Sequence, residues 1–146
     1  MTTNDDIHIL EADWERDRDG LIAVRTRVFV EEQQVPPELE IDGMDPQCRH
    51  VKAVDGQGQI IGTGRLLPDA HVGRMCVLPE YRGRGIGGRL LQHFTDLAQH
   101  ERLPELVLHA QVSALPFYQR YGFEVISEVF MEAGIEHQTM RLVLNQ

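Results

Sequence analysis

The stretch that decides the fold is Val77-Leu78-Pro79-Glu80-Tyr81-Arg82-Gly83-Arg84-Gly85-Ile86-Gly87-Gly88. Its apolar start is typical of the end of a strand, and its last residues open a segment with helical apolar spacing. The glycines between the two leave backbone N–H groups uncovered, so that an anion can approach them closely. The N-terminus of the helix adds the positive end of its dipole. The stretch therefore predicts a sharp strand-to-helix turn that binds an anionic group.

Three arginines, Arg82, Arg84 and Arg89, lie in or beside this turn, although the formal net charge of the chain is −9. A local basic cluster in an acidic chain indicates a ligand that carries phosphate. The negative net charge of the whole chain argues against general nucleic-acid binding, which needs a broad basic surface. It argues equally against docking on anionic membranes.

The composition predicts a single domain over residues 1–146, because 42% of its 146 residues are hydrophobic and can form one core. The sequence has no apolar run long enough to cross a bilayer, and the acidic segment 1–6 is not typical of a signal peptide. Cys48 and Cys76 lack a C-x-x-C spacing, so we expect free thiols in a reducing cytoplasm. The histidines show no metal-ligand spacing, so we expect no metal.

The hydrophobic pattern before the turn predicts a strand, a helix and a three-stranded antiparallel meander. Asp13 is a helix cap, and the helix that begins near Trp14 should end before Pro36-Pro37. Residues 31–45 then form a long acidic loop, with a short helix as an option over 37–40. The four strands of this half are expected at 7–10, 50–54, 60–67 and 72–78.

After the turn, a helix of strong apolar period begins at Ile86 and leads to a strand over 106–110. A strand that is reached through a helix runs parallel to the strand before it. A short helix over 114–121 and a final strand pair, 123–130 with 139–144, complete the chain. The prediction is an α/β fold of the α+β type, a mixed sheet in the order β-α-β-β-β-α-β-α-β-β. Its fourth and fifth strands are the parallel pair.

Two familiar phosphate-binding motifs compete for the glycine turn. A Walker A loop requires Lys and then Ser or Thr after the last glycine, whereas Arg89-Leu90 follows here. A dinucleotide fingerprint matches Gly83-x-Gly85-x-x-Gly88 literally, but the next strand ends in Ala110-Gln111-Val112 without the ribose-binding carboxylate. The three-stranded meander before the turn also lacks the βαβ order that this motif needs.

The turn also resembles the acetyl-CoA pyrophosphate loop of the GNAT family of N-acetyltransferases, because Arg82-Gly83-Arg84-Gly85-Ile86-Gly87 fits Arg/Gln-x-x-Gly-x-Gly/Ala. The preceding Arg74-Met75-Cys76-Val77-Leu78-Pro79 is similar to the family's fourth strand. The later Pro116-Phe117-Tyr118-Gln119-Arg120-Tyr121-Gly122-Phe123 is similar to its Phe-Tyr-x-x-x-Gly-Phe element. The resemblance covers essentially the whole chain.

A narrower resemblance points to the ElaA-type subgroup of that family. It rests on four blocks: Val28-Phe29-Val30-Glu31-Glu32-Gln33, Ile41-Asp42-Gly43, Arg49-His50 and Gly134-Ile135-Glu136-His137. These blocks are less widely shared than the glycine loop. They do not name a substrate.

The resemblance implies a GNAT fold and an N-acetyltransferase that uses acetyl-CoA as cosubstrate and no metal. The acetyl group would pass directly to a primary amine of a small molecule or peptide, and dimers are common in the family. An acyl-CoA-binding module without catalysis remains the alternative. A dinucleotide-binding module is the third candidate.

The resemblance also assigns residues to the cofactor. The diphosphate would be bound by the turn and the start of the helix: Arg82, Gly83, Arg84, Gly85, Ile86, Gly87, Gly88 and Arg89. Backbone N–H groups of Met75, Cys76 and Val77 would polarise the thioester carbonyl. Cys76 itself is expected to be a small strand residue rather than a nucleophile.

Tyr118 matches the family tyrosine that donates a proton to the sulfur of CoA, and a phenol is protonated at neutral pH. Glu32 is the candidate base that deprotonates the amine. Gln33, His50 and His137 are candidate substrate-binding residues from the subgroup blocks. Asp42 and Asp45 either bind a cationic amine or remain solvated loop charges.

Overall fold

The computed structural model describes residues 6–144, so the predictions for the N-terminal segment 1–5 and for residues 145–146 lie outside the described residues. The strands are β1 (His8–Ala12), β2 (Arg49–Val54), β3 (Ile60–Leu66), β4 (His71–Val77), β5 (Glu105–Gln111), β6 (Glu124–Val125), β7 (Phe130–Glu132) and β8 (Ile135–Val143). The α-helices are α1 (Trp14–Arg25), α2 (Pro37–Glu40), α3 (Ile86–His100) and α4 (Leu115–Arg120). A π-helical segment, Thr26–Glu32, continues α1.

All the strands belong to one mixed sheet in the order β1-β2-β3-β4-β5-β8-β6, with β7 paired to β8. The antiparallel meander β2-β3-β4 and the parallel pairing of β4 with β5 confirm the predicted fold. Helix α3 makes the crossover between these two parallel strands, as the helical spacing after the glycine turn predicted. Strand β1 lies at the edge of the sheet.

Two helices follow closely from their sequence signals. The side chain of Asp13 accepts hydrogen bonds from the backbone N–H groups of Glu15 and Arg16 and so caps α1. Helix α3 buries one continuous apolar face, made by Ile86, Leu90, Leu91, Phe94 and Ala98. Phe94 packs directly on β3, where a Cβ at Gly64 would lie 2.8 Å from its ring. This contact fixes α3, and therefore the glycine turn, against the sheet.

The final strand pair is more broken than predicted. The expected strand over 123–130 is divided into β6 and β7, and β8 pairs with both. The break lies at Ser127, whose Oγ accepts from the backbone N–H of Thr139 at 2.8 Å, and whose carbonyl accepts from the side chain of Gln138 at 3.0 Å. Side-chain hydrogen bonds replace ladder bonds there, so the strand cannot continue.

None of the helices within residues 6–144 combines the length and the apolar composition that crossing a bilayer requires. In the same residues, no three His, Cys, Asp or Glu side chains converge as metal ligands do.

Candidate active site

A cleft opens where β4 leaves β5. The two strands pair only through His71 with Val107 and Val72 with Leu108. Just beyond this pairing, β4 carries a bulge, in which two of its residues, Arg74 and Met75, lie opposite the single residue Gly64 of β3. Arg74 has a φ of +50°, which is a left-handed conformation that non-glycine residues rarely adopt. The bulge turns β4 away from β5 and leaves the edge of Gly73–Val77 facing the cleft.

A cavity of about 820 Å³ occupies this cleft. Its walls are the π-helical segment, β4, the end of β5, α4 and the β7–β8 hairpin. The structure brings eight of the sequence-predicted candidate residues to these walls, namely Gln33, Asp42, Met75, Cys76, Val77, Arg82, Tyr118 and His137. Gln33 is further fixed to β5, because its Oε1 accepts from Nε2 of Gln111 at 2.9 Å.

The glycine turn forms a helix N-terminus with uncovered amides. Gly85 caps α3 in a left-handed conformation with φ +77°, and it has no side chain that could accept from the amides of the first turn. The bond from Arg89 N to Gly85 O is where helical pairing starts, so the N–H groups before it have no intrahelical acceptor. An α-helix of this length with such an end suits an anion, and the residues present therefore fit a bound diphosphate.

Gly88 has a different reason to be glycine. A Cβ at this position would coincide with the hydroxyl group of Tyr121, whereas a Cβ at Gly85 would meet no atom within 4 Å. Gly88 thus allows the side chain of Tyr121, the residue after α4, to pack against α3 in its present position. Gly83 and Gly85 are needed for their positive φ values, +79° and +77°.

The three arginines of the turn differ in how the protein engages them. Arg82 donates to both carboxylate oxygens of Glu32, at 2.7 and 2.8 Å, and to the carbonyl of Val77. Arg89 donates to the carbonyl of Ile7 and so ties α3 to the start of the chain. The guanidinium of Arg84 lies over the ring of Tyr81 at 5.3 Å. Arg84 is therefore the best placed of the three to meet a ligand.

Glu32 is poorly suited to accept a proton. The hydrogen bond from Arg82 lowers the pKa of its carboxyl group, because the ion pair favours the charged form. Glu32 is also not among the cavity-lining residues of the described chain. These observations argue against Glu32 as the base and favour a role in holding Arg82.

Cys76 and Tyr118 both lie in the cavity wall, where Cys76 is buried and Tyr118 is partly buried. Burial raises the pKa of the Cys76 thiol to about 12, so that it is not a thiolate at neutral pH. Burial likewise raises the pKa of Tyr118 to about 12. Tyr118 packs edge-on against Phe117 and Phe123, which fixes its ring. A buried phenol that stays protonated is a proton donor at every ordinary assay pH.

The two predicted substrate histidines have separate locations. His50 is buried, stacks on Trp14 at 4.8 Å and has its Nε2 2.9 Å from the carbonyl of Asp45. Burial lowers its pKa, and it does not belong to the described cavity wall. His50 therefore supports the fold rather than the cavity. His137 does reach the cavity, with its Nδ1 held at 2.7 Å from the carbonyl of Ile135.

The predicted acidic loop is largely folded into a buried ion cluster. Arg25 binds Glu40 and Asp45 at 2.6 and 2.7 Å, and Arg65 binds Asp45 and Asp42 at 2.9 and 2.5 Å. Burial raises the pKa of Asp45, but the bonds from Arg25 and Arg65 outweigh it and hold that pKa below its usual range. Asp42 and Asp45 are thus neutralised by arginines. Asp42 lines the cavity and Asp45 is buried behind it, so neither is a free anion for a cationic amine.

Among the cavity residues that sequence reasoning missed are His71, His109 and Glu132. His109 Nδ1 lies 2.9 Å from Glu132 Oε1, although 23 residues separate them in the chain. The alternation of β5 was the signal available, since His109 and Gln111 alternate with the buried residues Leu106, Leu108 and Ala110.

Comparison with known proteins agrees with this geometry. The acetyltransferase (GNAT) domain matches residues 15–144, which includes the strands of the cleft and the whole glycine turn. The chain belongs to the GNAT family. It is an N-acetyltransferase by that membership.

Among relatives of this GNAT protein is the uncharacterized N-acetyltransferase YjcF of Bacillus subtilis. It is 38% identical over 121 residues, which cover 80% of this chain and 86% of YjcF. The dinucleotide-binding interpretation of Gly83-x-Gly85-x-x-Gly88 is thereby wrong, because these glycines lie within the matched GNAT domain.

Two solved structures share the fold over nearly their full length. An acyl-CoA N-acyltransferase from Pseudomonas aeruginosa is 30% identical, covers 94% of this chain and 99% of its own, and has a TM-score of 0.82. Escherichia coli ElaA is 27% identical, covers 92% of this chain and 99% of its own, and also has a TM-score of 0.82. The similarity to ElaA confirms the resemblance that the subgroup blocks indicated.

Proposed function

We propose that this GNAT protein transfers the acetyl group of acetyl-CoA directly to a primary amine of a small molecule or peptide. The observation that supports the proposal most strongly is the N-terminus of α3, which has no side-chain cap and follows the strand that separates from β5 to form the cleft. One element supplies amides for a diphosphate, and the other supplies an open strand edge for an acyl group. When bound, acetyl-CoA provides a thioester carbonyl that an amine can attack.

The first task of the chain is to bind the diphosphate. The amides of Gly83 through Gly88 are the proposed donors, because the left-handed cap at Gly85 has no side chain to cover them. Arg84 adds positive charge at this end of α3. Arg82 contributes indirectly, since its contacts with Val77 and Glu32 fix the entry to the turn.

The second task is to polarise the carbonyl that receives the amine. The segment from Met75 to Val77 lies beyond the last pair between β4 and β5, so its edge faces the cavity. Backbone N–H groups on a fixed strand are preorganised donors for a developing negative charge on oxygen. Direct transfer is supported by Cys76, because its thiol is only 8% exposed and burial raises its pKa to about 12, which argues against an acyl-cysteine intermediate.

The third task is to supply a proton to the departing sulfur. Tyr118 lines the same cavity as Met75 and Val77 and remains protonated because of its burial. Its ring is fixed between Phe117 and Phe123, which limits the cost of orienting the hydroxyl group in the reaction.

Two features support a cytoplasmic location and a cationic amine acceptor. Both cysteines are free, which fits a reducing compartment such as the cytoplasm. The cavity wall holds the carboxylates of Asp69 and Glu132 beside several histidines, and such a mixture suits a cationic amine as acceptor.

Two measurements on the purified full chain test the proposal. Calorimetry with acetyl-CoA is expected to show binding at one site. A CoA-release assay is then run against polyamines, amino sugars, amino acids, aminoglycosides and peptide N-termini, and turnover of at least one class is expected. Binding without turnover of any class would support the alternative, a non-catalytic acyl-CoA-binding module.

A further inference from the structure

His109 lies at the point where the cleft opens. The last residues of β4 and β5 to pair are Val72 and Leu108, so His109 is the first residue of β5 beyond the paired region. Its side chain is 40% exposed and lines the cavity, while its neighbours Leu108 and Ala110 are buried. An imidazole is thus presented to the cavity by a strand that is firmly paired to β8 on its other edge.

Glu132 of β7 fixes the state of this imidazole. Its Oε1 lies 2.9 Å from His109 Nδ1. Because a carboxylate accepts hydrogen bonds, this contact favours the neutral tautomer with its N–H on Nδ1 and the lone pair on Nε2. A carboxylate behind Nδ1 also stabilises the positive charge that the ring acquires when Nε2 takes a proton.

The groups around the pair come from every adjacent strand. From β4, the ring of His71 meets that of His109 edge-on at 5.7 Å. Asp69, in the turn before β4, lies 3.1 Å from His71 Nδ1 without hydrogen-bond alignment. From β8, His137 Nε2 lies 3.8 Å from the second oxygen of Glu132. The ring of Phe130 covers His109 edge-on at 5.2 Å.

We infer that His109 is the catalytic base, and that Glu132 is the residue that positions it. This inference rests on the proposed acetyltransferase function. Nε2 of His109 takes a proton from the ammonium form of the acceptor: an N–H bond of the acceptor breaks, its electron pair stays on the nitrogen, and an N–H bond forms on the ring. The positive charge moves to the imidazolium beside Glu132, and the proton passes to water after the product leaves.

The other candidates for the base are less suitable by their ion pairing, burial and location. Glu32 is held in an ion pair that lowers its pKa, and His50 is buried against Trp14 outside the described cavity wall. His137 reaches the cavity but is only 6% exposed. His109 combines exposure, a defined tautomer and a location on the cavity wall that also carries Tyr118.

The test uses His109→Gln, with His8→Gln as the matched control on the exposed side of β1. With the best amine of the panel, we expect His109→Gln to lower kcat/KM at pH 7 about 100-fold. The deficit should shrink as the pH rises to about 10, where a typical amine is already largely deprotonated. His8→Gln should behave as wild type throughout. Acetyl-CoA affinity, measured by calorimetry, should be unchanged in both variants.

A second readout does not depend on turnover. Two-bond proton–nitrogen NMR spectra of the imidazoles should show His109 protonated on Nδ1 above neutral pH, and Glu132→Gln should shift the tautomer toward Nε2–H. Glu132→Gln should also lower kcat/KM, by less than His109→Gln does. Glu132 is about half exposed on a hairpin, so this variant is expected to fold.

The outcomes separate the two proposals. Full activity of His109→Gln, a deficit that is constant with pH, or an Nε2–H tautomer in the wild type would overturn the assignment of His109 and leave the acetyltransferase proposal intact. Failure of the wild type to acetylate any amine would overturn the proposed function, and the role of His109 with it.

Discussion

Arg82 and Glu32 form a two-pronged ion pair, with Nη–Oε distances of 2.7 and 2.8 Å, that joins the glycine turn to the π-helical segment. The pair links the part of the chain that is proposed to bind the diphosphate to a wall of the acceptor cavity. It also argues against Glu32 as the base, because a carboxylate that is bound by a guanidinium is a weak proton acceptor.

The first prediction concerns Glu32→Gln. We expect kcat/KM to fall less than about tenfold, because Glu32 is proposed to hold Arg82 and not to take the proton. The free energy of unfolding should change by less than about 1 kcal/mol, since both partners are partly exposed and Arg82 keeps its bond to Val77. Steady-state kinetics and urea unfolding measure the two effects. A loss of 100-fold or more at unchanged acetyl-CoA affinity would restore Glu32 as the base.

The second prediction compares Gly85→Ala with Gly58→Ala. Both glycines have φ near +80° and open space around a new Cβ, so each substitution should cost about 1–2 kcal/mol of stability through backbone strain alone. Gly58 lies in the hairpin between β2 and β3, away from the turn. Only Gly85→Ala should weaken acetyl-CoA binding, as measured by calorimetry. Equal affinities in the two variants would show that the left-handed cap of α3 does not organise the diphosphate site.

The third prediction concerns Tyr118→Phe. We expect kcat to fall tenfold or more while the acetyl-CoA dissociation constant stays within about twofold, because only the proton for the sulfur is lost. The phenol pKa of about 12 implies that the wild type shows no loss of this donor up to about pH 11. Rapid-quench kinetics can isolate the chemical step. Wild-type kcat in the variant would remove Tyr118 from the mechanism.

The fourth prediction concerns the acid stability of the buried ion cluster. The pKa of Asp45 is lower in the folded chain than in the unfolded chain, where it is about 3.9. As the pH falls, the unfolded chain therefore binds the proton first, so this stabilisation is complete above about pH 4 and is lost as the pH falls through the folded value. Urea unfolding between pH 7 and pH 2 should show this loss.

A matched pair of variants isolates Asp45 from the other carboxylates. Asp45→Asn should destabilise the protein by about 3–5 kcal/mol at neutral pH, because it leaves buried guanidinium charge without its partner. Its free energy of unfolding should also fall less steeply below pH 4 than that of the wild type. Asp19→Asn on the exposed side of α1 should change neither quantity. An unchanged stability of Asp45→Asn would mean that the cluster is more hydrated than its burial indicates.

The sequence was sufficient for the parts of the fold that local signals determine. The start of α3 at Ile86, the cap at Asp13 and the parallel pairing of β4 with β5 all follow from periodicity, capping chemistry and the crossover rule. The break at Ser127 could not be predicted, because it depends on hydrogen bonds to Gln138 and Thr139 in another strand. The bulge at Arg74 is likewise a product of pairing with Gly64, which no local motif announces.

The candidate site divides in the same way. The glycine turn and Tyr118 lie within continuous motifs and were found from them. His109 belongs to β5 and Glu132 to β7, and the two residues come together because both strands pair with β8. Their spacing in the chain therefore carries no signal. Asp42 and Asp45 were expected either to bind a cationic amine or to remain solvated. Arg25 and Arg65, which lie far from them in sequence, instead neutralise the acidic loop in the fold.

The most direct test of the central claim is a calorimetric titration of the folded protein with acetyl-CoA, with NAD⁺ as the comparison ligand. The structure predicts saturable binding of acetyl-CoA at one site, weakened by Gly85→Ala, and no binding of NAD⁺. A ligand that binds only the folded state also raises Tm, so a thermal shift with acetyl-CoA alone should accompany the heat. No heat and no thermal shift at millimolar acetyl-CoA would show that the glycine turn does not bind this cosubstrate.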